Sequence, residues 1–78
     1  MNNYYNRAEA DKQEINAGRY FCLTIKNLET EEMLEANYAS FAEAHKAGSI
    51  AWFVADYDEE KFRIFIRFLP TGEEIEID

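Results

Sequence analysis

Lys61-Phe62-Arg63-Ile64-Phe65-Ile66-Arg67-Phe68-Leu69 is the longest dense run of β-forming residues in the chain, with turn-forming residues on either side. Its even positions, Phe62, Ile64, Ile66 and Phe68, are all large and apolar. Its odd positions carry Lys61, Arg63 and Arg67, with Phe65 between the arginines. Side chains alternate across a strand, so this pattern describes a strand with one face on a core. Every neighbouring segment can be registered against it, which makes it the expected central strand.

Downstream, Leu69-Pro70-Thr71-Gly72-Glu73 has Pro and Gly at turn spacing. A tight hairpin about Thr71-Gly72 places Phe68 opposite Ile75, Arg67 opposite Glu76 and Ile66 opposite Ile77. Residues 74–77 then form a short edge strand whose charges discourage strand addition. Upstream, Ile50-Ala51-Trp52-Phe53-Val54-Ala55-Asp56-Tyr57 reads as a strand returning through Asp58-Glu59-Glu60. Pairing Tyr57 with Phe62 sets Asp56 against Arg63, Ala55 against Ile64 and Phe53 against Ile66, a favourable set of cross-strand neighbours.

Residues 29–47 read as the main helix. Asn27 or Thr30 serves as its cap, and Glu29, Glu31 and Glu32 lie at the positive end of its dipole. Leu34, Tyr38, Phe41 and His45 supply a 3–4 stripe, and Gly48 is the expected stop. Residues 19–26 read as a first strand with Phe21, Leu23 and Ile25 on one face and Tyr20, Cys22 and Thr24 on the other. Residues 4–17 read as a helix ended by Gly18, with Tyr4, Ala8 and Ile15 inward and Arg7, Glu9, Lys12 and Glu14 outward. The expectation is one α+β domain over 1–78: a four-stranded, mostly antiparallel sheet with two helices in the order α-β-α-β-β-β. In these registers the second sheet face carries Ile50, Trp52, Val54, Phe65 and Leu69. It calls for cover from the N-terminal helix, a partner or a second copy in a homodimer.

Sixteen acidic residues face eight basic ones, a net charge of −8 over 78 residues. That balance opposes direct binding to nucleic acid or to an anionic membrane and permits binding to a basic protein surface, while solubility alone also accounts for it. Six Phe, five Tyr and one Trp provide core material that a disordered acidic chain lacks. Cys22 is the single cysteine, which excludes an intrachain disulfide and fits a reducing, cytoplasmic setting. The first residues, Met1-Asn2-Asn3-Tyr4-Tyr5-Asn6, are polar, so no leader peptide is expected, and no apolar run approaches a membrane span.

No constellation for catalysis, metal or cofactor binding emerges. His45 stands alone, Ser40 and Ser49 lack triad partners, and Cys22 has no neighbouring base. Asp56-Tyr57-Asp58-Glu59-Glu60 starts like a calcium loop but has Lys61 and Arg67 where Gly and Glu are required. The acidic residues do cluster: Glu29, Glu31, Glu32 and Glu35; Asp56, Asp58, Glu59 and Glu60; Glu73, Glu74, Glu76 and Asp78. Solvation and turn chemistry account for each cluster separately. Together the clusters can imitate a run of phosphates and occupy an Arg/Lys cleft built for nucleic acid. In size, acidity and lack of a site the chain is similar to small phage inhibitors of bacterial defence (anti-CRISPR and anti-restriction proteins) and to immunity proteins for nucleases. That similarity is one of composition, without a shared motif, and assigns no residue a role. The expected function is therefore a non-enzymatic inhibitor of a basic, nucleic-acid-handling partner, bound through these carboxylates and exposed aromatics such as Tyr4, Tyr5, Tyr57 or Trp52. The alternative is a small structural or regulatory module that dimerises.

Overall fold

A computed structural model describes residues 7–77; Tyr4, Tyr5 and Asp78, named above, lie outside them. The elements are α1 (Arg7–Asn16), β1 (Phe21–Asn27), β2 (Met33–Tyr38), α2 (Phe41–Val54), β3 (Phe62–Phe68) and β4 (Glu73–Glu76). The α+β class, the two helices and the four-stranded antiparallel sheet are as expected. The order is not: it is α-β-β-α-β-β, and the sheet runs β2-β1-β3-β4.

The correction falls on residues 29–57. The expected helix over 29–47 is a turn, strand β2 and only the first half of α2. The expected strand over 50–57 is the rest of α2 and its exit turn. Met33-Leu34-Glu35-Ala36 has good helix formers, yet pairing along β1 makes it a strand: Leu34 opposes Ile25, Ala36 opposes Leu23 and Tyr38 opposes Phe21. Ser40 starts α2 as its N-cap, its hydroxyl accepting from the Glu43 N–H at 3.2 Å. Ser40-Phe41-Ala42-Glu43 is thus a capping-box sequence.

β3 is central, with β1 on one side and β4 on the other. Its even positions share a face with Phe21, Leu23 and Ile25, because Leu23 opposes Ile66 and Ile25 opposes Ile64. α2 packs on that face, and Leu23, Ala44, Trp52, Ile64, Ile66 and Ile77 form the core. Gly48 does not stop the helix. It lies in the buried middle of α2, where an added Cβ would overlap Ile77 Cδ1 and press on Leu23 Cδ1 at 3.2 Å. Trp52 is buried, and its indole N–H donates to the Ile77 carbonyl, which fastens the chain after β4 to the helix.

The β3–β4 hairpin differs from expectation by two residues: Phe68 opposes Glu73, Arg67 opposes Glu74 and Ile66 opposes Ile75. The Gly72 N–H bonds the Phe68 carbonyl at 2.7 Å, with Gly72 at φ 79, so the loop is four residues. A two-residue shift keeps every side chain on its expected face. The second sheet face is not the apolar surface anticipated. Ile50, Trp52 and Val54 belong to α2, and the face instead carries Glu35, Asn37, Cys22, Thr24, Arg63, Phe65 and Arg67.

Gly48→Ala gains about 1 kcal/mol of helix propensity but overpacks a closed contact at a cost of ~1–3 kcal/mol. The expected result is a lower urea midpoint than wild type with an unchanged m value. A midpoint equal or higher would show that Ile77 yields freely.

Candidate functional site

β1 and β3 end together, with Asn27 opposite Phe62. From Asn27 the chain enters a tight turn. The Asn27 side-chain oxygen accepts from the N–H groups of Glu29 (2.9 Å) and Thr30 (3.1 Å), and its carbonyl accepts from the Glu31 N–H at 2.7 Å. Asn27 therefore does act as a cap, but of a turn. Glu29, Glu31 and Glu32 are all left exposed.

The other strand of this pair is entered from α2. The helix closes in a Schellman motif: Tyr57 N–H to Trp52 carbonyl at 2.9 Å and Asp56 N–H to Phe53 carbonyl at 3.1 Å. α1 closes in the same way, with Gly18 at φ 85 in the left-handed position. At the end of α2 that position belongs to Asp56 (φ 59), followed by Tyr57 (φ 54). Asp58 then caps the next turn, its carboxylate accepting from the Glu60 N–H at 3.0 Å.

A backbone hydrogen bond from the Leu28 N–H to the Lys61 carbonyl, at 2.8 Å, joins these two turns. Two acidic clusters distant in sequence thus share one end of the sheet: Glu29, Glu31 and Glu32 from the first turn, Asp56, Asp58, Glu59 and Glu60 from the second. None of the seven makes an ion pair among the described residues. The non-glycine residues with positive φ among those described, Glu31, Asp56 and Tyr57, all lie at this same end. Tyr57 is 62 % exposed, and its ring meets the edge of Phe53, itself 71 % exposed. Between the turns lies a cavity of about 520 Å³ lined by Leu28, Trp52, Tyr57, Glu59, Phe62 and Ile77 and, at its β3–β4 side, by the Arg63–Glu76 pair.

The remaining expected site residues lie elsewhere. Glu35 pairs with Arg7 on the second sheet face. Glu74 and Glu76 both bind Arg63, whose guanidinium also lies 3.9 Å from the centroid of the Phe65 ring. Glu73 starts β4 at the opposite end of β3. Trp52, expected as an exposed anchor, is a core residue. Phe53 takes its place beside Tyr57, and no feature of the sequence marked it, because it read as the cross-strand partner of Ile66.

The second face has its own electrostatics. α1 buries no residue, and two ion pairs tie it to the sheet, Asp11 to Arg67 at 2.5 Å and Arg7 to Glu35, while Glu14 pairs locally with Arg19 at 2.5 Å across the helix's own closing turn. Arg7 and Glu14, expected to face outward, are thus pairing residues. The Arg19 hydrogen bond holds the Glu14 carboxyl below its usual range, and the Asp11 hydrogen bond raises Arg67. Cys22 lies buried on this face, and desolvation pushes its thiol up, the opposite of an activated nucleophile. His45 is exposed, its ring 5.6 Å from that of Phe41. Among the described residues no acidic, His or Cys group is arranged to hold a metal, and no helix is long and apolar enough to cross a membrane.

Comparison with protein-family models, with curated proteins and with solved structures returns no match to this chain.

Two outcomes are expected. Asp56→Gly removes a left-handed non-glycine residue and stabilises the fold by about 0.5–1 kcal/mol, read from the denaturation midpoint; a loss of stability would contradict the assigned turn. Cys22 favours the protonated, folded state, so its contribution is complete below the unfolded thiol pKa and is lost as pH rises through the higher folded value. Labelling by a thiol reagent at neutral pH should be slow in the native protein and fast in denaturant. Equal rates would show that the face opens freely.

Proposed function

We propose that this protein is a non-enzymatic inhibitor that binds a basic, nucleic-acid-handling protein through the acidic end of its sheet and keeps nucleic acid out of that partner's cationic cleft. The observation that carries this reading is the Leu28–Lys61 bond, because it merges two acidic turns into one surface. Charges within a Debye length of about 8 Å act together, so carboxylates on two joined turns meet a cationic cleft as a group. Each exposed charge pair is worth little, about 0.2–1 kcal/mol, but the summed field steers association and selects the partner. Tyr57 and Phe53 beside the carboxylates supply the aromatic contact that charge alone lacks.

The reading also accounts for the molecule's choice of counter-ions. All four arginines are paired with carboxylates outside the two acidic turns, namely Glu35, Glu14, Glu74, Glu76 and Asp11, although Arg63 itself lies close by, lining the cavity between the turns. The acidic end keeps its charge for another molecule. The same reading places the protein in the reducing cytoplasm, where a lone thiol needs no partner.

The test is competition: the protein should displace duplex DNA from a basic DNA-binding protein, less effectively as salt rises. Replacing Glu29, Glu31, Glu32, Asp58, Glu59 and Glu60 by their amides should weaken displacement at least tenfold, whereas Glu43→Gln and Glu73→Gln together should leave it unchanged. Displacement indifferent to salt, or to the six amide substitutions, overturns the proposal.

A further inference from the structure

The sheet has two edges, and they are built differently. β4 is Glu73-Glu74-Ile75-Glu76, four residues of which three are acidic, and Arg63 binds two of those. A short charged edge of this kind resists the addition of another strand. β2 is Met33-Leu34-Glu35-Ala36-Asn37-Tyr38, six residues with one charge and no proline or lysine. Its only charged side chain turns to the second face and pairs with Arg7. β2 pairs with β1 on one side; among the described residues no strand lies on its other side. Its outward N–H and C=O groups are a template for one more strand.

Apolar side chains flank that edge on the face that carries α2. Leu34 is 70 % exposed, Ile50 56 % and Val54 78 %. Leu34 and Ile50 line one groove of about 250 Å³ together with Ala36, Tyr38 and Ala47. Side chains of this size, so exposed, present roughly 400 Å² of apolar surface, comparable with the largest patch on a typical monomer and about half of what each partner contributes to a standard interface.

The identity of the added strand follows from β2 itself. Paired antiparallel with a second copy about a two-fold axis through Ala36, β2 sets Leu34 against the partner copy's Tyr38 and Glu35 against its Asn37. Every apolar residue then meets an apolar one on the α2 face, and no like charges are opposed. Moving the axis by one residue to Glu35 would set two carboxylates against each other, and moving it to Asn37 would oppose Leu34 to Ser40, beyond the end of β2, so the register about Ala36 is favoured. The axis stands perpendicular to the sheet, so both copies of α2 lie on the same side, and the two Leu34–Ile50 grooves close on each other. We infer that β2 is the site of homodimerisation: two copies join edge to edge through Met33–Tyr38 into one eight-stranded sheet, closed by Leu34, Ile50 and Val54 of each. This interface lies on the opposite edge of the sheet from β4, and it leaves Tyr57 and the acidic turns free, so it stands or falls independently of the inhibitor reading.

The full-length chain is tested by sedimentation equilibrium up to several hundred micromolar and by oxidative cross-linking of single-cysteine additions. Twice the monomer mass is expected for wild type. Leu34→Lys with Ile50→Glu should return the monomer mass with wild-type circular dichroism. Under mild oxidation the position of the added cysteine relative to the axis is decisive: Ala36→Cys should give mostly disulfide-linked dimer, and Glu35→Cys, whose opposite number is Asn37, should give little. Native Cys22 is buried and serves as the background control. A monomer at the highest concentration overturns the inference, as does a dimer in which Ala36→Cys and Glu35→Cys cross-link equally or that survives Leu34→Lys with Ile50→Glu in its folded form.

Discussion

Antiparallel pairing of β1 with β3 is the constraint on which the rest of the molecule depends. These strands are separated by thirty-four residues, yet seven consecutive pairs join them, from Phe21 opposite Phe68 to Asn27 opposite Phe62. Because the pairing is in register, Leu23 and Ile25 share a face with Ile64 and Ile66, and α2 has a continuous apolar surface on which to lie. Because both strands end at one level, the chain leaving β1 and the chain entering β3 are neighbours. The meeting of the two acidic turns follows from that.

Close packing on the apolar face and ionic pairing on the other divide the labour. Gly48 lets α2 approach Leu23 and Ile77, and the Trp52 indole holds the chain beyond β4 against the helix. On the second face a helix without buried residues is held by carboxylate–guanidinium pairs, of which Asp11–Arg67 is the most shielded from solvent. Such pairs gain more from partial burial than exposed ones do. They also take up the arginines, and this leaves the molecule electrostatically lopsided: its arginines are paired over the sheet, and seven carboxylates without an ion pair among the described residues lie on the two joined turns at one end.

Much of this was legible in the residues. The period-two pattern over 62–68 marked the central strand, Phe21-Cys22-Leu23-Thr24-Ile25 marked its partner, Gly18 marked the end of the first helix, and Pro70 to Gly72 marked the last hairpin. The carboxylate clusters were plain as well. The middle of the chain was not legible, because its local signals point the wrong way. Gly48 looks like a helix stop and is a helix interior, while Asp56 holds the left-handed position that glycine usually takes. Leu34, Glu35 and Ala36 favour helix and form a strand. The Ser40-Phe41-Ala42-Glu43 capping box was the one local cue that places α2 correctly.

Sequence by itself determined the α+β class, the strand that organises the sheet, the excess of negative charge and the absence of a recognisable catalytic motif, because alternation, turn chemistry and charge are properties of adjacent residues. Tertiary structure alone decided that the third element is a strand, that β1 lies between β2 and β3, and that Glu29, Glu31 and Glu32 stand beside Asp58, Glu59 and Glu60 while Glu35, Glu74 and Glu76 are neutralised. Those outcomes depend on which distant segments pair. Pairing is settled by the burial and hydrogen bonding of the whole sheet, which can override the preference of any single stretch.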